Sequence, residues 1–396
     1  MSDGLRQEIR NMKDWLVEIR RTIHMHPELG FEEVETSKLI FQWLEKFGIQ
    51  VTRGWAKTGV VGLMKGKAPG KTVAIRADMD ALPIEELNKV PYASKVPGKM
   101  HACGHDAHVT ILLGVAKFFS SHPDLLKKGD IKWLFQPAEE GGGGGKVMVE
   151  EGVLENPKVD AIFGAHAYPL LPIGKVGYCE REGQAAADRF TIKVIGKGGH
   201  AASPHLTKDP ILAAGHIITQ VHSIVSRSMN PLERGVITIG RVNGGTAFNI
   251  IPDDVEMWGT VRSLSPEVRK LLKTRIEEVV RGVVHSFGMD YRYNFIDGYP
   301  ALINDTEMSR LVARACGKGI GEENVETLRP SMGGEDFAYF LEKVPGSFFR
   351  LGVRNEQKGI VHMYHSSLFD IDEDVLPFGV EMFLRIIDEY LGLGLF

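Results

Sequence analysis

The densest concentration of chemically useful side chains is HACGHDAH, residues 101–108. Cys103 and His105 stand two apart, and a thiolate beside an imidazole suits zinc and other borderline transition metals. On its own this cluster also fits a buried cysteine beside surface histidines. A second feature, Glu139-Glu140, directly follows the apolar run IKWLFQP. Adjacent carboxylates at a strand end point in different directions. One can bind a cation while its neighbour serves as a general base, although most isolated Glu pairs are solvated turn acids. His166, in DAIFGAHAY, stands where its own apolar run ends, and so do Asp78 and Asp80 in RADMDALP. A lone histidine or an Asp-rich turn carries little weight alone. Here three separate apolar runs each deliver metal-type side chains just past their C-terminal ends, where open α/β sheets place ligands. The late segment HMYHSS can add His362 or His365.

The elements that must position these residues follow from the patterning. Apolar residues at helical spacing predict one helix over about 4–24 and another over 34–47. The runs 73–80, 131–141 and 159–168 read as buried strands. HDAHVTILLGVAKFF (105–119) reads as a buried helix between the first two. Such alternation predicts an α/β sheet covered on both faces. Near residue 186 the texture changes. RFTIKVIGKGGH (189–200) alternates at period two. Asp209 and Pro210 open a helix over 209–227. VITIGRV (236–242) and DVEMWGTVRS (254–263) read as strands. Ser265 as cap, Pro266 at the first position and Gly288 as stop define a helix over 265–288. With a last strand at 290–296, this is a small α+β domain with an open sheet face or edge. The expected organisation is therefore residues 1–185 and 298–396 as one discontinuous domain, with 186–297 inserted as a smaller one. After about 298 the texture returns to mixed α/β, ending in a helix near 373–392.

The bulk properties narrow the function. A chain of 396 residues is too long for one compact core. A formal net charge of -4 gives no general attraction to nucleic acid or an anionic membrane surface. Cys103, Cys179 and Cys316 are the only cysteines, which argues against a disulfide framework and for a reducing compartment. The N-terminal stretch is charged throughout, and no apolar run is long enough to span a bilayer. The expectation is a cytoplasmic protein. The glycine run 141–145 lacks the GK[ST] ending of a phosphate loop and reads as close backbone approach at the site. His24, His26, His122, His216, His222 and His285 are expected to be structural or solvated.

Taken in order, RADMDALP, MHACGHDAH, FQPAEEG, GAHAYP, GKGGHAASPH, FNIIPD and MGGEDFAYF resemble the aminoacylase and carboxypeptidase type of co-catalytic metallopeptidase. The nearest group is the amidohydrolases that include hippurate hydrolases, N-acyl amino acid amidohydrolases and indoleacetyl-amino acid hydrolases. The resemblance runs over nearly the whole chain. It implies an α/β fold: a mixed-sheet, two-metal catalytic domain interrupted by a smaller α+β dimerisation (lid) domain. It further implies Cys103, His105, Glu140, His166 and His365 as ligands and Glu139 as general base. The ligands would serve two divalent ions, zinc or manganese first, with cobalt or nickel as alternatives. The broader family has His-x-Asp where this chain has Asp78-Met79-Asp80, so Asp80 is expected to orient a ligand from outside. His200 is expected to donate to the oxyanion from a second copy in a homodimer. Asn249 and Arg262 are expected to hold the substrate carboxylate. The implied reaction is hydrolysis of the amide of N-acyl-L-amino acids, with a carboxypeptidase or dipeptidase acting on short peptides as the alternative.

Overall fold

The computed structural model describes residues 2–396, and its contacts divide the chain into two compact units. The larger contains the chain through Arg181, then Ile303–Arg329 and Tyr339–Phe396. The smaller contains Glu182–Leu302 and Pro330–Ala338. The boundaries differ from the sequence expectation at 182–185, 298–302 and 330–338, for local reasons. The strand Asp290–Tyr299 keeps pairing as far as Tyr299 opposite Ala187, which carries residues beyond 297 into the smaller unit. Residues 330–338 join it as well, because Ser331 N donates to Gly183 O (3.0 Å) and Ala185 N to Gly333 O (2.9 Å).

The larger unit is built on an eight-stranded mixed sheet. Its centre is four mutually parallel strands in the order Asp130–Gln136, Thr72–Asp78, Ala161–Pro172 and Gly346–Arg354. Thr72–Asp78 is buried at every position, as expected of a parallel strand with helices on both faces. One covering helix, His105–Ser121, is buried on nearly all sides and contacts both Lys13–His24 and Val375–Leu391. The N-terminal helical pattern is two helices rather than one. Ser2–Asn11 and Lys13–His24 meet at Met12, a turn residue with ψ -7° that still donates to Glu8 O at 3.2 Å.

In the smaller unit the strands run Gly235–Asn243, Asp254–Ser263, Ala186–Ile195 and Asp290–Tyr299, all antiparallel. Phe190, Ile192 and Val194 alternate onto one face of this sheet. They are buried there with Ile217 and Val221 of helix Pro210–Arg227 and Leu272, Ile276 and Val280 of helix Pro266–Ser286. The opposite face leaves Trp258 43% exposed, in keeping with the open face read from the alternation. Both helices start at the residues their sequences announce. Asp209 accepts from Ile211 N and Leu212 N, and Ser265 accepts from Val268 N. Among the described residues no helix is long and apolar enough to cross a membrane.

The Ser265 cap satisfies a helix N–H that otherwise has no intrahelical partner. Ser265→Ala is expected to cost about 1 kcal/mol. In urea unfolding this should appear as a lower midpoint with an unchanged slope.

Candidate metal centre

The side chains singled out in the larger unit converge beyond the C-terminal ends of its parallel strands. Strand Asp130–Gln136 leads through Pro137 and Ala138 to Glu139 and Glu140. This turn is sharp. Ala138 adopts φ +53°, a left-handed conformation uncommon for alanine, and its N–H is held by Glu33 Oε1 at 2.8 Å. The glycine run packs beneath it. A Cβ on Gly144 would stand 1.8 Å from Pro137 O, so only glycine lets the backbone close this tightly.

Strand Thr72–Asp78 ends at the residues that lead to Asp80. His166 is not beyond its strand, as the sequence pattern suggested, but within Ala161–Pro172. The pairing with Thr72–Asp78 stops at Gly164, while the partner Gly346–Arg354 continues past His166. His166 is therefore past the end of one ladder and inside another. Cys103 and His105 sit at the start of helix His105–Ser121, where Gly104 turns the chain with φ +87°.

The donor atoms of Cys103, His105 and His166 lie within 4.8 Å of one another, as do those of Cys103, Glu140 and His365. Cys103 belongs to both groups. His105, Glu139 and Glu140 form a third group at the same spacing. Two of the imidazoles are oriented by their other nitrogen. His105 Nδ1 donates to Asp80, with Asp80 O at 2.9 Å and Oδ1 at 3.2 Å, and His166 Nδ1 donates to Ala167 O at 2.7 Å. Each ring thus presents Nε2, the usual arrangement of an imidazole ligand fixed by an outer acceptor. Asp80 Oδ2 also accepts from Glu140 N at 2.9 Å, so one carboxylate positions two of the donors. His365 is placed by its backbone: its N–H donates to Ala102 O at 2.8 Å and its φ is +64°. Its Nε2 lies 3.1 Å from Glu140 Oε1 without hydrogen-bond alignment. His362, the other histidine of that segment, is exposed.

Two observations fit this set to a cation. His105 Nε2 is buried and has no hydrogen-bond partner, which is costly unless something binds it. The donors, a thiol, three imidazoles and a carboxylate, are those that divalent transition metals prefer. Burial holds the His166 ring well below the ordinary histidine range, leaving it neutral. Burial pushes the Cys103 thiol up, and the neighbouring His105 and His365 rings oppose it. The nearby Cys103, then Glu140, push His365 up to about 10. A bound cation would take the place of that proton.

Behind the donors lies a buried layer whose pairing the sequence did not show. Asp78 accepts from Arg76 (2.7 Å) and His108 (2.5 Å), all three buried. His108 Nε2 accepts from Ala167 N at 2.8 Å, which fixes it as the neutral Nδ1–H tautomer. His24, expected to be structural or solvated, is buried against Asp106 at 2.7 Å and Glu86 at 3.3 Å. Arg20 Nε donates to the same Asp106 at 2.8 Å, with both side chains fully buried. The signal for Arg76 and Asp78 was present, since two charges inside an otherwise apolar strand must pair to be buried.

The residues expected from the smaller unit fall into two places within it. His200 is exposed on the short strand Gly199–His200, which pairs with Ile250–Ile251, and Ala201 N donates to Asn249 O at 3.1 Å. His200 and Asn249 are therefore neighbours, beyond the Asp254 end of strand Asp254–Ser263. Arg262 stands eight residues along that strand, about 26 Å away at the usual rise per residue. Its Nη1 donates to Thr260 Oγ1 and Val261 O. The fold of one chain thus gathers His200 with Asn249 but not with Arg262.

The Asp106 carboxyl gives a pH signature. Burial alone would raise it, but the Arg20 guanidinium, then His24, hold it well below the usual carboxylate range. Its stabilisation is therefore complete above about pH 4 and is lost as pH falls toward the depressed value. In chelator, Asp106→Asn should be less stable than wild type at pH 7. The gap should narrow below about pH 4. A constant gap in urea unfolding would contradict the pairing.

Comparison with known proteins identifies the chain's relatives. The sequence is 44% identical to an IAA-amino acid hydrolase ILR1-like 4 of Arabidopsis thaliana, over 96% of this chain and 86% of that one. It is also 44% identical to thermostable carboxypeptidase 2 of Saccharolobus solfataricus, over 95% of each chain. A solved structure from Bacillus subtilis, described as a dinuclear metal binding peptidase from the M20 family, superposes with a TM-score of 0.84 at 36% identity. It covers 97% of this chain and 99% of that one. Residues 74–389 match the sequence pattern of peptidase family M20/M25/M40, and the chain belongs to that family.

Proposed function

We propose that this protein hydrolyses the amide bond of N-acyl-L-amino acids, releasing a carboxylic acid and an amino acid. The observation that carries the reading is the convergence of Cys103, His105, Glu140, His166 and His365 with Glu139 beside them. Cys103, His105 and His166 would hold one divalent ion, and Cys103, Glu140 and His365 a second, with the shared thiolate reaching both. Zinc or manganese suits these donors first, and cobalt or nickel also fits them. Bound there, the ions supply Lewis acidity toward a water and the amide carbonyl.

The protein's own groups do the rest. Glu139 takes a proton from the attacking water and returns it to the leaving nitrogen. Asp80 keeps His105 and the Glu140 backbone in place through both transfers. His200 donates to the developing oxyanion. We propose that it does so from a second copy in a homodimer, with the unit around residues 186–297 as the dimerisation (lid) domain. Asn249 and Arg262 are the proposed holders of the substrate carboxylate, Arg262 by a bidentate contact. Because they lie at opposite ends of one sheet, they can meet the same carboxylate only if they come from different copies. A cytoplasmic location is supported by the three free cysteines. The substrate is a small molecule, and the near-neutral charge gives no pull toward nucleic acid or membrane.

The Saccharolobus relative favours a second reading, a carboxypeptidase acting on short peptides with the same machinery. A hydrolysis screen of N-acyl amino acids against dipeptides, on chelated and metal-restored enzyme, separates the two. Chelation should abolish turnover in either case. Glu139→Gln should keep its metals and lose about 10²- to 10⁴-fold in kcat. Near-wild-type turnover in that variant would remove Glu139 as the base. His200→Ala should lower kcat while leaving metal content unchanged, and full activity in an enforced monomer would end the proposal of donation from a second copy.

A further inference from the structure

Among the buried groups that the metal-binding reading leaves unexplained is an arginine. Arg20 carries a charge with no exposed side-chain surface, on helix Lys13–His24, far in sequence from every proposed ligand. Its guanidinium bonds in two directions. Nε donates to Asp106 Oδ2 at 2.8 Å, and Asp106 directly follows His105. Nη2 donates to Asp370 Oδ1 at 2.9 Å and Nη1 to Glu373 Oε1 at 3.4 Å. Asp370 closes the segment that carries His365. Burial opposes the charge, but Asp106, then Asp370, outweigh it and hold the guanidinium protonated.

The segment 362–370 has no regular secondary structure. Besides the His365 N–H on Ala102, it is fixed from the side facing Arg20. Tyr92 Oη donates to Asp370 Oδ2 at 2.7 Å, Asn88 Nδ2 to Phe369 O at 2.9 Å and Leu87 N to Ser367 O at 2.9 Å. His365 itself is held in the left-handed region, a conformation that persists only when its surroundings over-determine it. His166, by contrast, is built into a strand and needs no such support.

We infer that Arg20 is a positioning residue that sets His365 relative to Cys103. Its planar fork locks the spacing between the Asp106 segment and the Asp370 segment, which a single ammonium group would not do. The inference rests on the proposed metal ligands and concerns one of the two groups. The Cys103–Glu140–His365 set depends on the clamp, whereas Cys103–His105–His166 has strand and helix support of its own.

The test is chelator competition with Zn²⁺ or Mn²⁺ on the full-length protein, resolving two dissociation constants, alongside melting temperature in chelator. The variants are Arg20→Gln, Arg20→Lys and Asp370→Asn, with His365→Ala as reference. Loss of a group that orients a ligand should raise one dissociation constant about ten- to a hundredfold. It should be the constant that His365→Ala raises, and the other should stay within about threefold, well below that range. Arg20→Lys should fall between wild type and Arg20→Gln. Asp370→Asn weakens the loop arm, together with the Tyr92 contact to the same carboxylate, leaves the Asp106 arm in place, and decides the matter if Arg20→Gln does not fold. A lowered melting temperature with both constants unchanged, or both raised alike, would mean that Arg20 merely stabilises the fold. If His365→Ala changes neither constant, the ligand assignment itself is wrong and the inference goes with it.

Discussion

A single carboxylate joins the two halves of the donor set. Asp80 accepts from His105 through Oδ1 and its own carbonyl, and from the Glu140 backbone through Oδ2. One of these partners starts a helix and the other follows a strand, and nothing in the regular hydrogen bonding of either element fixes their separation. The parallel sheet brings the ends of the two strands side by side, at the spacing of neighbouring strands. Asp80 turns that coarse proximity into a defined distance between an imidazole and a carboxylate. The buried position of Asp80 lets it do so, since a hydrogen bond in a water-poor interior is stronger and less readily exchanged.

The remaining features follow from the same demand. Donors beyond the strand ends sit on irregular backbone, so each bend is held from outside. Glu33 holds Ala138, the Gly144 backbone packs against Pro137, and Ala102 holds His365. The two non-glycine residues forced into the left-handed region here, Ala138 and His365, flank the site. Strained backbone of this kind commonly collects at functional positions. The layer of Arg76, Asp78 and His108 lies beneath, its ion pair and the neutral imidazole hydrogen-bonded together, where an unpaired charge would be costly.

Much of this was legible in the sequence because buried parallel strands leave a plain trace. The runs VAIRAD, IKWLFQ and AIFGAH are mostly apolar and buried at every position, and the chemistry gathers at or near their ends. Helix starts were equally plain at Asp209 and Ser265, since a cap is a contact between near neighbours. What escaped was whatever depends on distant partners. The role of His24 rests on Asp106, more than eighty residues away. The place of His166 inside its strand depends on Gly346–Arg354, a strand the sequence reading did not delimit. Choosing His365 over His362 needed family resemblance, because both stand in a loop whose course only tertiary contacts decide. Residues 330–338 went to the wrong unit for the same reason, their pairing with 183–185 being invisible to periodicity.

The order of the donors along the chain has a consequence for how the protein is made. Cys103 and His105 leave the ribosome early, but His365 follows only after the whole inserted unit has been synthesised. Most of that unit, Glu182–Leu302, can begin to fold while the larger one still lacks its strand Gly346–Arg354 and its closing helix Val375–Leu391. During that interval Cys103 stands ahead of helix His105–Ser121 in an unfinished unit. Well over two hundred residues of elongation separate this thiol from the last donor of its set. The centre therefore closes only when the C-terminal part of the chain folds back onto the N-terminal part.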